Sequence, residues 1–201
     1  MKKFMNKYRI PSTRLQKWDY GWNASYFVTI CTWHRICFFG RIESAIMNLS
    51  DIGSMAEKFW IEIPNHFPFV QLSDFVVMPN HVHGIITINK FRDADTVETQ
   101  NFASLHQKQK QTESQTTDQN PNQNQQPGSV KNHFGPQSMN LASIIRGYKI
   151  GVSKYARIEN PFFKWQSRYY DHIVHDQEEL NRICNYILNN PSKWKNDEFY
   201  K

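Results

Sequence analysis

The stretch from Phe69 to Ile88 constrains this chain most. Phe69 to Met78 is rich in β-branched and aromatic residues, Pro79-Asn80 interrupts it, and His81-Val-His-Gly-Ile-Ile-Thr-Ile88 resumes the same character. Pro-Asn reads as a tight turn. A parallel crossover needs roughly a dozen residues or more, so so short a connection makes the two strands an antiparallel hairpin.

The remaining elements arrange themselves around that hairpin. Tyr26 to Trp33 reads as a strand, and Cys37 to Ile42 continues or returns it. Ile52, Met55, Ala56, Phe59 and Trp60 recur at helical spacing after Ser50-Asp51, with Pro64 as the stop. A second helix runs from about Met139 to Arg157, its apolar stripe marked by Leu141, Ile144, Ile145 and Tyr148. Phe162 to Val174 reads as a strand. Asp176 and Glu179 have the spacing of a capping box ahead of a last helix, on which Leu180, Ile183, Cys184, Ile187 and Leu188 form the apolar face and which Pro191 ends. The order β, α, β, β, α, β, α predicts an α+β fold. It is the ferredoxin-like split βαβ pattern, an antiparallel sheet with helices on one face plus an extra C-terminal helix.

Composition sets the outer bounds. The chain has 201 residues, 39% of them hydrophobic and 14% aromatic, enough bulk for a real core in a single domain spanning 1–201. Residues 93–138 break the pattern: 11 of the 21 residues from Gln107 to Pro127 are Gln or Asn. With no large apolar residue, that core of the stretch cannot offset the entropy of ordering, so 93–138 reads as a disordered insertion within the domain. No apolar run approaches a membrane span, and the basic N-terminus lacks the apolar stretch of a signal peptide. The three Cys are too few and scattered for a disulfide framework, so a reduced cytoplasm is expected. The net charge is +6, but the insertion contributes −2, leaving +8 on the other 155 residues. A strongly basic fold suggests a polyanionic partner, nucleic acid first.

Three groups of residues carry possible chemistry. His81 and His83 stand at i and i+2 of a strand, so both imidazoles leave the same face and can share one metal ion, while Val82 points into the packed side. A surface histidine pair would have the same spacing. Tyr186 and Asn190 lie about one helical turn apart on one flank of the last helix, where the Asn oxygen is a plausible hard ligand. An ordinary amphipathic tyrosine fits that position too. Trp165-Gln-Ser-Arg-Tyr-Tyr-Asp-His172 mixes aromatic and basic groups as single-strand DNA sites do, and as half-buried edge strands also do. His172 suits phosphate positioning, proton transfer or a structural hydrogen bond. Arg146, Lys149, Lys154 and Arg157 share one helical region and could hold a phosphate backbone, or simply be a solvated face.

Together, Met78-Pro-Asn-His-Val-His-Gly-Ile-Ile86, Trp165-Gln…Tyr170-Asp-His172 and Asn185-Tyr-Ile-Leu-Asn-Asn-Pro191 resemble the signatures of the His-hydrophobe-His (HUH) single-strand DNA tyrosine transposases, and most of all the REP-associated branch. The likeness spans about Tyr26 to Trp194, the polar insertion excepted. It implies a ferredoxin-like fold and a divalent metal, Mg or Mn, on His81 and His83. Asn190 falls at the third-ligand position, where insertion-sequence relatives often have Gln. It implies Tyr186 as the nucleophile of a metal-dependent endonuclease and strand transferase working through a 5′-phosphotyrosine, with His172 an additional catalytic candidate. Single-stranded or hairpin DNA is the implied partner, with Arg146, Lys149, Lys154, Arg157, Trp165 and Arg168 as its candidate contacts, and a monomer or homodimer as the assembly. Three other readings stay open: a domesticated DNA-hairpin-binding protein that no longer cuts, a replication-initiation or relaxase-type HUH nuclease, and a non-catalytic metal-binding structural protein in which the Tyr–Asn spacing is accidental.

Overall fold

The computed structural model describes residue 15, residues 18–90 and residues 139–200. The polar insertion expected at 93–138 and the basic N-terminal stretch lie outside the described residues. In chain order the elements are β1 (Ala24–Cys31), β2 (Gly40–Glu43), β3 (Ile46–Leu49), α1 (Asp51–Ile61), the short α2 (Ile63–His66), β4 (Val70–Met78), β5 (His81–Ile88), α3 (Leu141–Glu159), β6 (Tyr170–Val174) and α4 (Gln177–Asn189). Among the described residues, 3-10 turns at Trp33–Arg35 and Pro191–Asn196 follow β1 and α4 respectively.

Four strands form one antiparallel sheet in the order β4-β5-β1-β6. The expected hairpin is there: β4 and β5 pair from Met78↔His81 outward, with a register shift between Leu72 and Phe75. Strand alternation then sorts the side chains. Tyr26, Val28, Ile30, Val82, Ile86 and Ile88 point to one face, where they join Ala56 and Trp60 of α1 and Ile144, Tyr148 and Val152 of α3 in the buried core. The odd-numbered residues His81, His83, Thr29 and Phe27 leave the opposite face, and α4 packs there along β4.

Local chemistry fixes the helices. Ser50 Oγ accepts from the Gly53 N–H at 3.1 Å and starts α1. Asn140 and Ser143 cap one another reciprocally at the start of α3. The Tyr148 hydroxyl donates to the Ala56 carbonyl and ties α3 to α1. Asp176 caps α4 as expected, accepting from the Glu179 N–H at 2.8 Å. The Glu179 carboxylate does not return the bond to Asp176; it takes the His175 N–H instead.

Four sequence expectations need correction. Cys37 to Ile42 neither continues nor returns β1: β2 pairs with β3 in a separate two-stranded hairpin, turned by Ser44 and Ala45 at positive φ. β1 ends at Cys31, because His34 and Arg35 adopt φ of 53° and 57° and turn the chain out of the sheet. The strand expected over Phe162 to Val174 is only Tyr170–Val174; before it, Arg168 at φ 69° breaks extension and a single bridge joins Trp165 to Thr32. α1 ends at Ile61, ahead of Pro64, which sits instead in the first turn of α2. Among the described residues no helix is long and apolar enough to cross a membrane.

Candidate active site

The register Cys31↔His81 and Thr29↔His83 places both histidines in central β5, between β4 and β1. Both are fully buried. His81 Nδ1 meets Asn80 Oδ1 at 2.9 Å. The Asn80 amide nitrogen donates to the carbonyls of Arg35 and Phe199, at 3.0 and 2.8 Å, so its oxygen must be the atom turned to His81. A carboxamide oxygen only accepts. His81 therefore carries its proton on Nδ1, and its Nε2 bears a free lone pair with no hydrogen-bond partner among the described residues.

His83 lies between two hydroxyls. Its Nδ1 is 2.9 Å from Thr29 Oγ1 and its Nε2 is 3.2 Å from the Tyr186 hydroxyl. Phe27 stacks beneath the imidazole at 5.4 Å and meets the Tyr186 ring edge-on. Tyr186 is 44% exposed, so its hydroxyl reaches a buried imidazole while solvent still reaches the ring. Burial holds the His83 imidazolium far down, to about 3; burial, then the neighbouring His83 and Arg35, lower His81 well below the ordinary range. Both rings are neutral near pH 7, the form that binds metal. Burial, with Asp197 and Glu198, raises the Tyr186 phenol, and a side-chain hydrogen bond from Asn190 works against that rise.

The chain after α4 closes over the pair. The Phe199 ring lies 4.7 Å from His81, and the Trp194 ring 6.0 Å from it. Arg35 donates to the Glu198 carbonyl and covers the Phe199 ring. This fold-back brings Asp197 to the imidazoles: ligand atoms of His81, His83 and Asp197 all lie within 4.8 Å of one another. Asn190 is buried and its Oδ1 is without a hydrogen-bond partner among the described residues. The bare imidazole nitrogen of His81 and the Asp197 carboxylate suit a divalent cation, and the cluster of His81, His83 and Asp197 could hold a metal ion.

The structure thus brings together His81, His83, Tyr186 and Asn190. His172 stands elsewhere on the same sheet face, paired in register with Phe27, and its Nε2 meets Glu179 Oε1 at 2.8 Å. Hydrogen bonds from His175 and His172 lower the Glu179 carboxyl. The basic candidates collect behind the sheet. Arg146, Lys149, Lys154, Arg157 and Arg168 line a groove of about 610 Å³ along α3, which packs on the face opposite the imidazoles. Lys149 gives its ammonium to the carbonyls of Gln166 and Arg168, and burial lowers it to about 8. Trp165 is half-buried against Phe39, Phe163 and Tyr148, its N–H bound to the Lys149 carbonyl. Sequence reasoning missed Asn80, Thr29 and Asp197. Asn80 had a usable signal, a polar residue directly before the pair; Asp197 had none, since it belongs to no periodic pattern.

No family model matches the chain. An "uncharacterized protein" of Haemophilus influenzae is 34% identical over 190 residues, covering 94% of this chain and 92% of that one. Among solved structures, a REP-associated tyrosine transposase bound to a REP hairpin aligns with a TM-score of 0.51 and 15% identity, over 91% of this chain and 74% of the other. That likeness is one of fold. By its identity along nearly the whole of both sequences, the chain belongs to the same protein family as the Haemophilus influenzae protein.

Proposed function

We propose that this protein is a metal-dependent single-strand DNA endonuclease and strand transferase of the tyrosine transposase type. The observation that carries the reading is the 3.2 Å approach of the Tyr186 hydroxyl to His83 Nε2, beside the bare Nε2 of His81. The strand order β4-β5-β1-β6 fits a ferredoxin-like sheet, and the solved structure of like fold holds a REP hairpin, which supports hairpin DNA as the substrate.

Each residue then has a task. His81, His83 and Asp197 would hold a Mg or Mn ion, with Asn190 as a further oxygen. Such an ion, when bound, offsets the charge of a phosphodiester and polarises it. Tyr186 is the nucleophile. Its oxygen bonds to phosphorus, the bond to the 3′ oxygen breaks, and the proton lost from the phenol ends on the released 3′-hydroxyl. A 5′-phosphotyrosine remains, and a second 3′-hydroxyl can reverse the step to join new ends. The hydrogen bond from Asn190 favours the phenolate. His172 is a positioning residue in this reading, holding the first turn of α4 through Glu179. The groove along α3, with Arg146, Lys149, Lys154, Arg157 and Arg168, would grip DNA backbone away from the reacting phosphate.

The test is covalent trapping. Labelled hairpin DNA with single-stranded flanks, incubated with the protein and Mn or Mg, should give an adduct that survives a denaturing gel. Tyr186→Phe should abolish it, and EDTA should suppress it. An undiminished adduct in Tyr186→Phe moves the nucleophile elsewhere. Binding with no adduct for any hairpin makes the chain a hairpin-binding protein.

A further inference from the structure

The two imidazoles of the pair are not equally free. His81 Nε2 has no hydrogen-bond partner among the described residues. Both nitrogens of His83 are engaged, Nδ1 with Thr29 Oγ1 at 2.9 Å and Nε2 with the Tyr186 hydroxyl at 3.2 Å. Thr29 is buried and pairs with His83 between β1 and β5, so Nδ1 is committed to the neighbouring strand. Nε2 is then the nitrogen that His83 can bring to a cation shared with His81 and Asp197.

A neutral imidazole has one N–H and one lone pair. If Nε2 carries the proton, it donates to the phenol oxygen and has no lone pair for a metal. If Nδ1 carries it, the Nε2 lone pair accepts the phenol proton. Either tautomer closes His83 to a cation while Tyr186 stays in place. Hydrogen bonds and metal bonds leave a ring nitrogen in the same direction, so the phenol stands where the cation would. Tyr186 has room to leave. It is 44% exposed, and Ile187 is the residue that α4 buries, so the tyrosine ring can turn outward without opening the core.

We propose that Tyr186 is a latch on the metal site: its hydroxyl and a divalent cation compete for His83 Nε2, so that loading the site and releasing the phenol are one event. The proposal rests on the preceding reading of the cluster as a metal site and of Tyr186 as the nucleophile, and it adds an order to them. A phenol held on His83 is not available to phosphorus; it becomes available when the imidazole takes up its role as a ligand. A cation that binds only the unlatched state has its apparent affinity reduced by the fraction of protein in that state. Removing the latch should therefore tighten metal binding, the opposite of what losing a ligand does.

The experiment is a calorimetric titration of the full chain with Mn, without DNA, comparing the wild type with Tyr186→Phe. Phenylalanine keeps the ring contacts to Phe27 and His83 and removes only the hydroxyl. The variant should bind Mn roughly 2- to 12-fold more tightly, the worth of one net hydrogen bond. Tyr155→Phe, on α3 behind the sheet, should bind as the wild type does. Circular dichroism checks that each variant is folded, and damage to the site would weaken binding rather than tighten it. Equal affinity in the wild type and Tyr186→Phe overturns the proposal. Weaker binding by Tyr186→Phe overturns it as well, because the phenol would then be a ligand and not a competitor. So does an equal gain in Tyr155→Phe. Failure of the underlying reading looks different. If neither the wild type nor Tyr186→Phe takes up Mn, the metal site itself is refuted and the latch with it. If the covalent adduct persists in Tyr186→Phe while Mn binding tightens, the nucleophile lies elsewhere and the competition for His83 stands.

Discussion

A histidine can offer a metal only a nitrogen that carries no proton, and at His81 that choice is made by Asn80. Its carboxamide oxygen holds the Nδ1 proton while its nitrogen spans two carbonyls on separate segments. Asn80→Ala should lower Mn affinity about 10- to 100-fold, the usual effect of losing a partner that orients a metal ligand, with calorimetric titration as the measure. The same burial that frees the imidazoles makes them sensitive to acid. A His83 pKa of about 3 in the fold, against about 6.5 unfolded, means that the unfolded chain binds more protons throughout that window. The stability contribution is fully present above about pH 6.5 and is lost as pH falls toward about 3. Metal-free protein should therefore lose on the order of 2 kcal/mol between about pH 6.5 and about pH 5 through this residue alone. Urea denaturation at both pH values measures the difference, and a His83→Gln variant should show a shallower pH dependence. An equal dependence in that variant would sink the assignment.

At the scale of elements, β5 works because its two faces hold opposite kinds of side chain. Towards the core, Gly84 leaves room for the Trp60 indole of α1: a Cβ there would come within 2.3 Å of the Trp60 ring and 2.9 Å of Phe75. Trp60 is fully buried and stacks on Phe75, so it has little room to retreat. Gly84→Ala should destabilise the fold by about 1–3 kcal/mol through overpacking. Adding Trp60→Leu should recover part of that loss relative to the sum of the single effects, which a double-mutant cycle in denaturant would detect. The hairpin and the α1 stripe were legible because period 2 and period 3.6 both run through them without interruption. Phe162 to Tyr169 misled for a physical reason. Its aromatics are strand-like in composition, yet Phe163 and Trp165 fill the gap beside Phe39 as a loop, and packing decided the backbone.

At the scale of the molecule, the chain leaves and re-enters the fold at one place. The Lys90 N–H donates to Asn23 Oδ1, the Leu141 N–H donates to the Tyr20 carbonyl, and Lys90 and Met139 both lie against Gly21. Replacing residues 93–138 with a short Gly-Ser linker should leave the thermal midpoint unchanged or slightly raised, since closing a shorter loop costs less entropy, by about 0.6 kcal/mol per halving. A fall of many degrees, read by calorimetry, would show that the insertion contributes to the fold. The sequence by itself determined the alternation that puts His81 and His83 on one face, the helical spacing of Tyr186 and Asn190, and the order of the four main-sheet strands and the long helices, though not the separate β2–β3 hairpin. Each is a consequence of backbone period, which needs only neighbours in the chain. Tertiary structure alone decided that α4 lies across the imidazoles and that the last residues fold back over them. It also decided that α3 and its basic groove lie behind the sheet. Asp197, 116 positions after His81, enters the site only because the turn after α4 reverses the chain. Such a meeting depends on the packing of whole elements, and no local pattern encodes it.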